Sequence, residues 1–499
     1  VWVVFGLVII PVLAGQGFQW EPMTISAQIP LLMLFLLQGV CLSLTMQSFA
    51  AVGILRQPAL HIPIESDELG ITQRVVILGG GFAGATAAQH LEKLFGEDQR
   101  VQITLVSRTN HLLFTPMLAE VTAGGVEAQH ISPPLRAFFR RVHVIQGEPV
   151  QIDPTEKVVT VRSGALEMQQ YQYDQLVLAL GAVPNFYGNA NLERHAFTFK
   201  SLSDAIRIRN HVIDILERAD TEPDPIRRQT LLTFVVVGAG FAGAELVGGL
   251  NDFVRGSSWY YKKISNDEIK MLLVHPGEVI LPELSADLAR YAEKKMIARG
   301  VSILGGVRAT DASATSITLG AEKIATSTLI WTAGSVPSPL LRVCGFETDK
   351  RGAVVTDEYL LVKGYRDIWA VGDCAAIPDL ITGKNAPPTA QYALREAKTV
   401  AYNVHAALNK GSFKAFRHRT QGALAVVGHQ TACAEVFGFK FSGLFAWLLW
   451  RGIYLLKLPT LEKKLRVLLD WMIDVFFPRD IAYAPQLDEV VERTPVTGD

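Results

Sequence analysis

Arg74–Gln89 reads RVVILGGGFAGATAAQ, and its interpretation decides the fold. Val75–Leu78 is a short apolar run of strand character. Gly79, Gly81 and Gly84 then supply G-x-G-x-x-G, with Phe82 and Ala83 between them, and a helical pattern begins at Ala85. Each glycine has a physical task. Gly79 allows the tight turn from strand to helix, Gly81 lets backbone approach a pyrophosphate, and Gly84 lets helix and strand pack closely. The helix N-terminus presents free N–H groups and the positive end of its dipole to phosphate.

The pattern recurs. Phe234–Leu246 reads FVVVGAGFAGAEL, with Gly238, Gly240 and Gly243 around Phe241 and Ala242. A third element, Asp367–Ala375 (DIWAVGDCA), sets an apolar strand before Gly372-Asp373. Together these resemble the two-dinucleotide-domain flavoproteins. The resemblance implies noncovalent FAD on the first fold, a nicotinamide nucleotide on the second, and Asp373 beside the ribityl–phosphate chain of the flavin.

Composition narrows the field. The chain has 499 residues, too many for one ordinary domain. A net charge of −1 gives no basic field for nucleic acid. Apolar residues make up 49%, and mean hydropathy is +0.23, which points towards a membrane. Cys41, Cys344, Cys374 and Cys433 are widely spaced, with no C-x-x-C pair, so neither a metal site nor a local dithiol is expected. Ile29–Leu55 carries no charge and is long enough for a hydrocarbon core of about 30 Å. Val1–Ala14 is apolar and shorter, as a truncated first span would be. Arg56 and Arg74 follow the second span, which places the bulk of the chain on the cytoplasmic side.

The first fold departs from the usual pattern at its second strand, Val101–Val106. That strand ends in Ser107 and Arg108 rather than the acidic residue that normally binds a ribose hydroxyl. The second fold has His275 after Met271–Val274, again in place of an acid. No Arg or Lys lies between Met271 and Leu284, so NADH is the expected donor. NADPH is a second donor whose use should rise as protonation of His275 increases towards pH 6. Ala219–Arg228, with Pro223 and Pro225, reads as a polar linker before the second fold.

FTPML (Phe114–Leu118), ISPPLR (Ile131–Arg136), YDQLVLALG with NFYG (Tyr173–Gly188) and KSLSDAIRIRNHV (Lys200–Val212) then narrow the resemblance. From Gln73 to Asp480 the chain is similar to the type II NADH dehydrogenases, the single-subunit NADH:quinone oxidoreductases. The resemblance implies FAD contacts at Gly79, Gly81, Phe82, Ala83, Gly84, Ser107, Arg108, Thr115, Pro116, Gly181, Gly372, Asp373 and Gln391. It implies nucleotide contacts at Gly238, Gly240, Phe241, Ala242, Gly243, Glu245, His275 and Gly334, the last in the WTAG stretch Trp331–Gly334 that returns the chain to the first fold. Glu245 is expected near the nicotinamide. Ala390 and Gln391, in PPTAQYALRE (Pro387–Glu396), match the family's A-Q-x-A motif at the flavin–quinone junction. Arg395-Glu396 stands where relatives often have Gln-Gln, and Leu180 where many have Thr.

The tail holds two apolar helical patterns, Gly443–Leu458 and Leu461–Phe477. In the second, Leu461, Leu465, Leu468, Leu469, Met472 and Phe476 share a face, with Glu462, Lys463, Arg466, Asp470 and Asp474 away from it. Trp447, Trp450, Tyr454 and Trp471 read as interfacial aromatics, and the whole as an amphipathic membrane anchor, with core or dimer packing as the alternative. The expected fold is α/β, with two Rossmann-like domains, an N-terminal transmembrane hairpin and a C-terminal membrane-association region. In order these are a hairpin 1–57, truncated at its start; a linker 58–72; an FAD domain 73–190 and 331–410 split by an NAD(P)H domain 191–330; and a membrane-association or dimerisation region 411–499. The expected function is non-pumping NADH oxidation with reduction of a membrane quinone, by a homodimer on the cell inner or a thylakoid-type membrane. The alternatives are a related quinone reductase of demethylphylloquinone or sulfide:quinone type, and a non-enzymatic nucleotide sensor.

Overall fold

The computed structural model describes residues 70–164 and 167–484. The chain divides into two units, Val1–Asp67 and Glu68–Asp499. The described residues belong to the second, so the expected hairpin and most of the linker lie outside them. Among the described residues no helix is long and apolar enough to cross a membrane.

Two parallel five-stranded sheets organise the unit. The first runs, in spatial order, Ile368–Ala370, Gln175–Leu178, Gln73–Leu78, Val101–Ser107 and His143–Gln146. Its central register pairs Val76 with Thr104 and with Leu176. The second runs Val301–Leu304, Lys270–Val274, Thr233–Val237, Thr328–Trp331 and Phe197–Thr198. Helices and loops cover both faces of each sheet, so the central strands read as unbroken apolar runs. Val75, Ile77, Leu78, Phe234, Val235 and Val236 are all at most 1% exposed. Each such large side chain contributes roughly 1.5–3 kcal/mol of burial.

The second sheet is inserted into the sequence of the first. The two crossings between them, Ala182–Pro184 and Ser335–Pro337, pair antiparallel. The Trp331 indole N–H donates to the Asn185 carbonyl at 2.9 Å, and its ring stacks on Phe186 at 5.5 Å.

Six helices position the chemistry: α1 (Phe82–Phe95), α2 (Leu202–Thr221), α3 (Phe241–Ser257), α4 (Ala390–Leu408), α5 (Gly443–Lys457) and α6 (Leu461–Phe476). Helix α1 packs closely along α4, because both present alanines: Ala83, Ala87 and Ala88 on one, Ala393, Ala397 and Ala401 on the other. A three-stranded antiparallel sheet, Gly422–Gly428, Thr431–Val436 and Phe439–Ser442, lies against α3. Gly248 of α3 permits this approach, since a Cβ there would lie 2.6 Å from the Val427 backbone.

Two local expectations are corrected. The polar stretch Ala219–Arg228 is not a linker. It is the end of α2 and the start of a second helix, Pro225–Leu231, whose first turn is capped by the Asp224 side chain with Pro225 in the position it favours. In the tail, Trp447, Trp450 and Trp471 are at most 4% exposed and are core residues rather than interfacial ones. Asp470 and Asp474 of α6 also turn inward. Asp470 meets His130 at 2.5 Å and Asp474 accepts from the Arg479 guanidinium at 2.8 Å. Leu465, Leu469, Ile473 and Phe476 of the same helix are exposed.

Candidate active site

The two glycine turns are nearly superimposable in their constraints. Gly79 (φ +116°) and Gly238 (φ +112°) take backbone conformations closed to other residues. A Cβ on Gly84 would lie 1.8 Å from the Gly79 carbonyl oxygen, and one on Gly243 would lie 1.8 Å from that of Gly238. Gly81 is different, because a Cβ there would meet nothing within 4 Å. Gly240 is almost as open, with only a Glu283 oxygen at 3.8 Å. Gly81 and Gly240 occupy the N-caps of α1 and α3, and no side chain caps either helix. By contrast Ser201, Asp224, Thr389 and Thr460 cap other helices with their side chains. Two uncapped helix N-termini facing open space, each behind a glycine, fit two dinucleotide pyrophosphates.

Around the first turn, Phe82 is half-buried and Ala83 buried. Ser107 is 3% exposed and packs under Gly80, where a Cβ would sit 2.3 Å from the Ser107 Oγ. Gly80 is therefore required by the fold. Ser107 fills the space beneath it, while Arg108 and Thr115 are exposed. Gly181 (φ +65°) has an open Cβ direction. Gly372 (φ +73°) closes on the same turn, since a Cβ there would meet that of Ala83 at 3.2 Å. Asp373 lies 3.7 Å from the Lys200 ammonium. Helix α4 begins behind Thr389, with Ala390 and Gln391 half-buried in its first turn. One turn further in, the buried Glu396 accepts the Gly372 N–H at 2.7 Å. Burial, with Asp373 nearby, raises this carboxyl to about 7.

At the second turn Phe241 is half-buried and Ala242 exposed. Gly334 (φ +84°) lies under Tyr187, whose hydroxyl a Cβ would meet at 2.4 Å. His275 is 5% exposed and its backbone is pinned by Leu304 and Val307. Burial lowers its pKa, which works against the expected rise of NADPH use towards pH 6. Local reading missed Arg308, an exposed cation that directly follows Val307. The thiols of Cys374 and Cys433 are buried and pushed up to about 12, and that of Cys344 is raised as well, which makes all three poor nucleophiles.

Glu245, on the first turns of α3, opens into a cavity of about 40 Å³. It accepts the Val426 N–H at 3.1 Å, and burial raises it to about 8. Pro116, Glu120, Asp252, His429, Trp450, Arg451 and Arg479 share the lining. Glu120 accepts the Trp471 indole N–H at 2.6 Å. The Arg451 guanidinium lies between two indoles, 3.8 Å from the Trp447 ring and 4.7 Å from that of Trp471. Aromatic contacts connect this cavity to the first glycine turn: Phe82 to Phe114 at 5.8 Å, Phe114 to Tyr454 at 6.1 Å, Tyr454 to Trp450 at 4.8 Å. The structure thus brings Gly372, with Asp373 beside it, to the first turn, and Glu245 with Pro116 to a polar cavity beside the C-terminal helices. It leaves Arg108 and Thr115 at the surface.

Comparison with known proteins agrees with this geometry. Residues 73–397 match the family model described as pyridine nucleotide-disulphide oxidoreductase, and residues 420–480 match the NDH2 C-terminal domain. The type II NADH:quinone oxidoreductase Ndh of Mycobacterium tuberculosis is 32% identical, over 80% of this chain and 87% of its own. A probable NADH dehydrogenase of Dictyostelium discoideum is 30% identical, over 82% and 91%. The structure of NDH2 from Plasmodium falciparum in complex with NADH superimposes with a TM-score of 0.76 at 20% identity, over 82% of this chain and 99% of that one, a likeness of fold. Two glycine turns on two parallel sheets, followed by the matching C-terminal module, place this chain in the pyridine nucleotide-disulphide oxidoreductases and, among them, in the type II NADH:quinone oxidoreductase family.

Proposed function

We propose that this protein oxidises NADH with a noncovalent FAD and passes the electrons to a membrane quinone. The observation that carries the reading is the pair of uncapped, glycine-lined helix N-termini in a chain of this family. FAD, when bound, would supply the two-electron redox chemistry between NADH and quinone. The chain binds, orients and handles the proton. Gly79–Gly84 and the N-terminus of α1 hold the pyrophosphate of the flavin, and Gly372-Asp373 its ribityl side. Gly238–Gly243 and the N-terminus of α3 hold that of NADH, and Gln391 at the start of α4 lies on the quinone path.

The overall reaction converts NADH, one proton and quinone into NAD⁺ and quinol. Hydride carries one hydrogen, so one further proton must be delivered. Glu245 is the group suited to this, because a carboxyl held near 8 still carries its proton at pH 7. Solvent then reprotonates it.

The membrane is met in two places in this reading. The apolar segments of residues 1–57 form the hairpin. The outward row of Leu465, Leu469, Ile473 and Phe476, with Phe477 beyond it, lies on the bilayer surface, as a solvent-exposed apolar helix face of this size requires a partner. The catalytic unit is on the cytoplasmic side, as a homodimer, with residues 73–190 and 331–410 serving FAD and 191–330 serving NADH.

The decisive test is direct. Protein purified in detergent should be yellow, release FAD on acid treatment, bleach with NADH and recover colour with quinone. Colourless protein that stays inactive after FAD is added overturns the reading. Deleting residues 1–60 should leave the protein on membranes, releasable by mild detergent, and full solubility would refute the surface anchor. A bulky residue at Gln391 should slow quinone turnover more than flavin reduction by NADH. Equal slowing would remove Gln391 from the quinone path.

A further inference from the structure

The cavity beside Glu245 holds more acid than base. Glu120, Glu245, Asp252, Arg451 and Arg479 line it. Asp474 belongs to the same group, 3.8 Å from the Arg451 guanidinium and 2.8 Å from that of Arg479. Arg299 belongs to it through its ion pair with Asp252. Among the described residues that line the cavity or pair with a lining residue, four carboxylates thus face three guanidiniums. His429, also in the lining, does not redress the balance, because burial lowers its pKa and keeps it neutral.

Pairing the charges shows where the surplus lies. Arg299 is taken by Asp252, and Arg479 by Asp474. Arg451 remains, clamped between Trp447 and Trp471 in the cavity that Glu120 shares. Burial raises the Glu120 carboxyl, and the Arg451 charge and the Trp471 indole N–H act against that rise and favour its ionised form. Glu120 also holds the Trp471 indole N–H. Glu245 has a backbone N–H from Val426 and, among the described residues, no ion pair with a guanidinium. The other groups around it are Asp252 on its own helix, Glu120 from the short helix Leu118–Thr122, His429 after the strand Gly422–Gly428, and Trp450, Arg451 and Tyr454 from α5, with Asp474 and Arg479 from α6 and the turn beyond it. The Tyr454 phenol is raised by burial and by Glu245, so it is neutral too. Two carboxylates sharing one enclosed site cannot both ionise cheaply.

We propose that Glu120 is a positioning residue for quinone reduction: held by the Trp471 indole N–H in the cavity that Arg451 also lines, its negative charge keeps a proton on Glu245 across the cavity. The cavity, at about 40 Å³, has room for a water, and both residues line it. The charge of Glu120 acts to raise the pKa of Glu245, in the direction this requires. The inference rests on the reading of Glu245 as proton donor, and the test separates the two.

The experiment is an infrared pH titration of the flavin-loaded enzyme, following the stretch of protonated carboxyls, beside the pH profile of quinone reduction. Wild-type enzyme should show a carboxyl that loses its proton near pH 8 and is absent from Glu245→Gln. In Glu120→Gln, which keeps an acceptor for the Trp471 indole, that midpoint should fall by on the order of one unit, and the alkaline limb of quinone reduction with it. Glu120→Asp, which keeps the charge, should restore both. Flavin reduction by NADH in stopped flow reports that each variant is folded and loaded. An unmoved midpoint in Glu120→Gln overturns the proposal. So does wild-type enzyme with no such carboxyl at pH 7, whether or not the variants fold. A midpoint that shifts while the quinone profile stays put removes Glu245 as donor, and the role of Glu120 in turnover with it, while leaving the electrostatic coupling intact.

Discussion

The first and second glycine turns are one backbone device used twice, and three of the aligned positions at which they differ set them apart chemically. Gly80 of the first corresponds to Ala239 of the second, Thr86 to Glu245, and Ser107 to His275. Under the first turn, Ser107 packs so tightly that only glycine fits at position 80. Past it, α1 runs along α4 in an alanine-lined seam, and Thr86 carries no charge into it. Past the second turn, α3 meets the C-terminal sheet instead, and the side chain in the same place is a proton-holding glutamate. The same turn can therefore serve a resident cofactor or a passing substrate. What distinguishes them is the next turn of helix and what packs on it.

The largest effects should come from breaking the shared part. Gly84→Ala forces a Cβ to 1.8 Å from backbone and should cost on the order of 4 kcal/mol, giving protein without flavin. Gly81→Ala meets open space, so the melting temperature of the apoprotein should hold while flavin affinity falls about tenfold or more. Equal damage from both, measured by thermal unfolding and flavin content, would show that Gly81 is structural.

Next is the helix position at which the turns diverge. Glu245→Gln should slow quinone reduction on the order of a hundredfold while leaving a flavin that NADH still reduces. Since the protonated form is the active one, wild-type turnover should decline as pH rises through about 8, and the variant should lose that limb. Stopped-flow kinetics of the two half-reactions from pH 6 to 9 decide it.

A smaller effect is expected at Glu396, on the α4 side of the first turn. Its folded value of about 7 stands above the ordinary value of about 4.3, so the native state binds the extra proton. Stability from this group is complete below pH about 4 and is lost as pH rises through 7, to the extent of about 3 kcal/mol. Glu396→Gln, whose carbonyl can still accept the Gly372 N–H, should flatten the fall in stability between pH 5 and 8. An unchanged pH dependence of denaturant unfolding would mean that the carboxyl is solvated.

The smallest effect lies at the strand ends. With His275 buried and its pKa lowered, the preference for NADH over NADPH should stay within about twofold from pH 6 to 8, and His275→Glu should sharpen it. A preference that relaxes at pH 6 would place a protonated His275 at the ribose. Steady-state kcat/KM for both donors measures it.

What could be read from the chain in advance follows from range. Both glycine turns, their strands, Gly372-Asp373 and the tail helices are written in consecutive residues, and local physics governs them. The need for Gly80 depends on Ser107, which comes only with the second strand. A polar, proline-bearing stretch looked like a linker because the cap at Asp224 belongs to a helix that only packing makes worthwhile. Asp470 of α6 reads as part of a solvent face because its partner, His130, lies far off in sequence, whereas Asp474 is met by Arg479 just past the end of its own helix. The acid–base set around Glu245 was invisible for the same reason. Glu120 and Arg451 are far apart in the chain and meet only across the folded cavity.

The clamp on Arg451 has an optical consequence. Three of the eight tryptophans, Trp447, Trp450 and Trp471, gather around this one cluster of charges, and all three are buried. An indole excited state has a large dipole, and its emission colour responds to the field of nearby ions. Loss of the proton from Glu245 would put a new negative charge into the cavity that Trp450 lines. Intrinsic fluorescence of the flavin-free protein is thus a built-in voltmeter for the cavity, and its emission maximum should titrate with the same midpoint as the carboxyl.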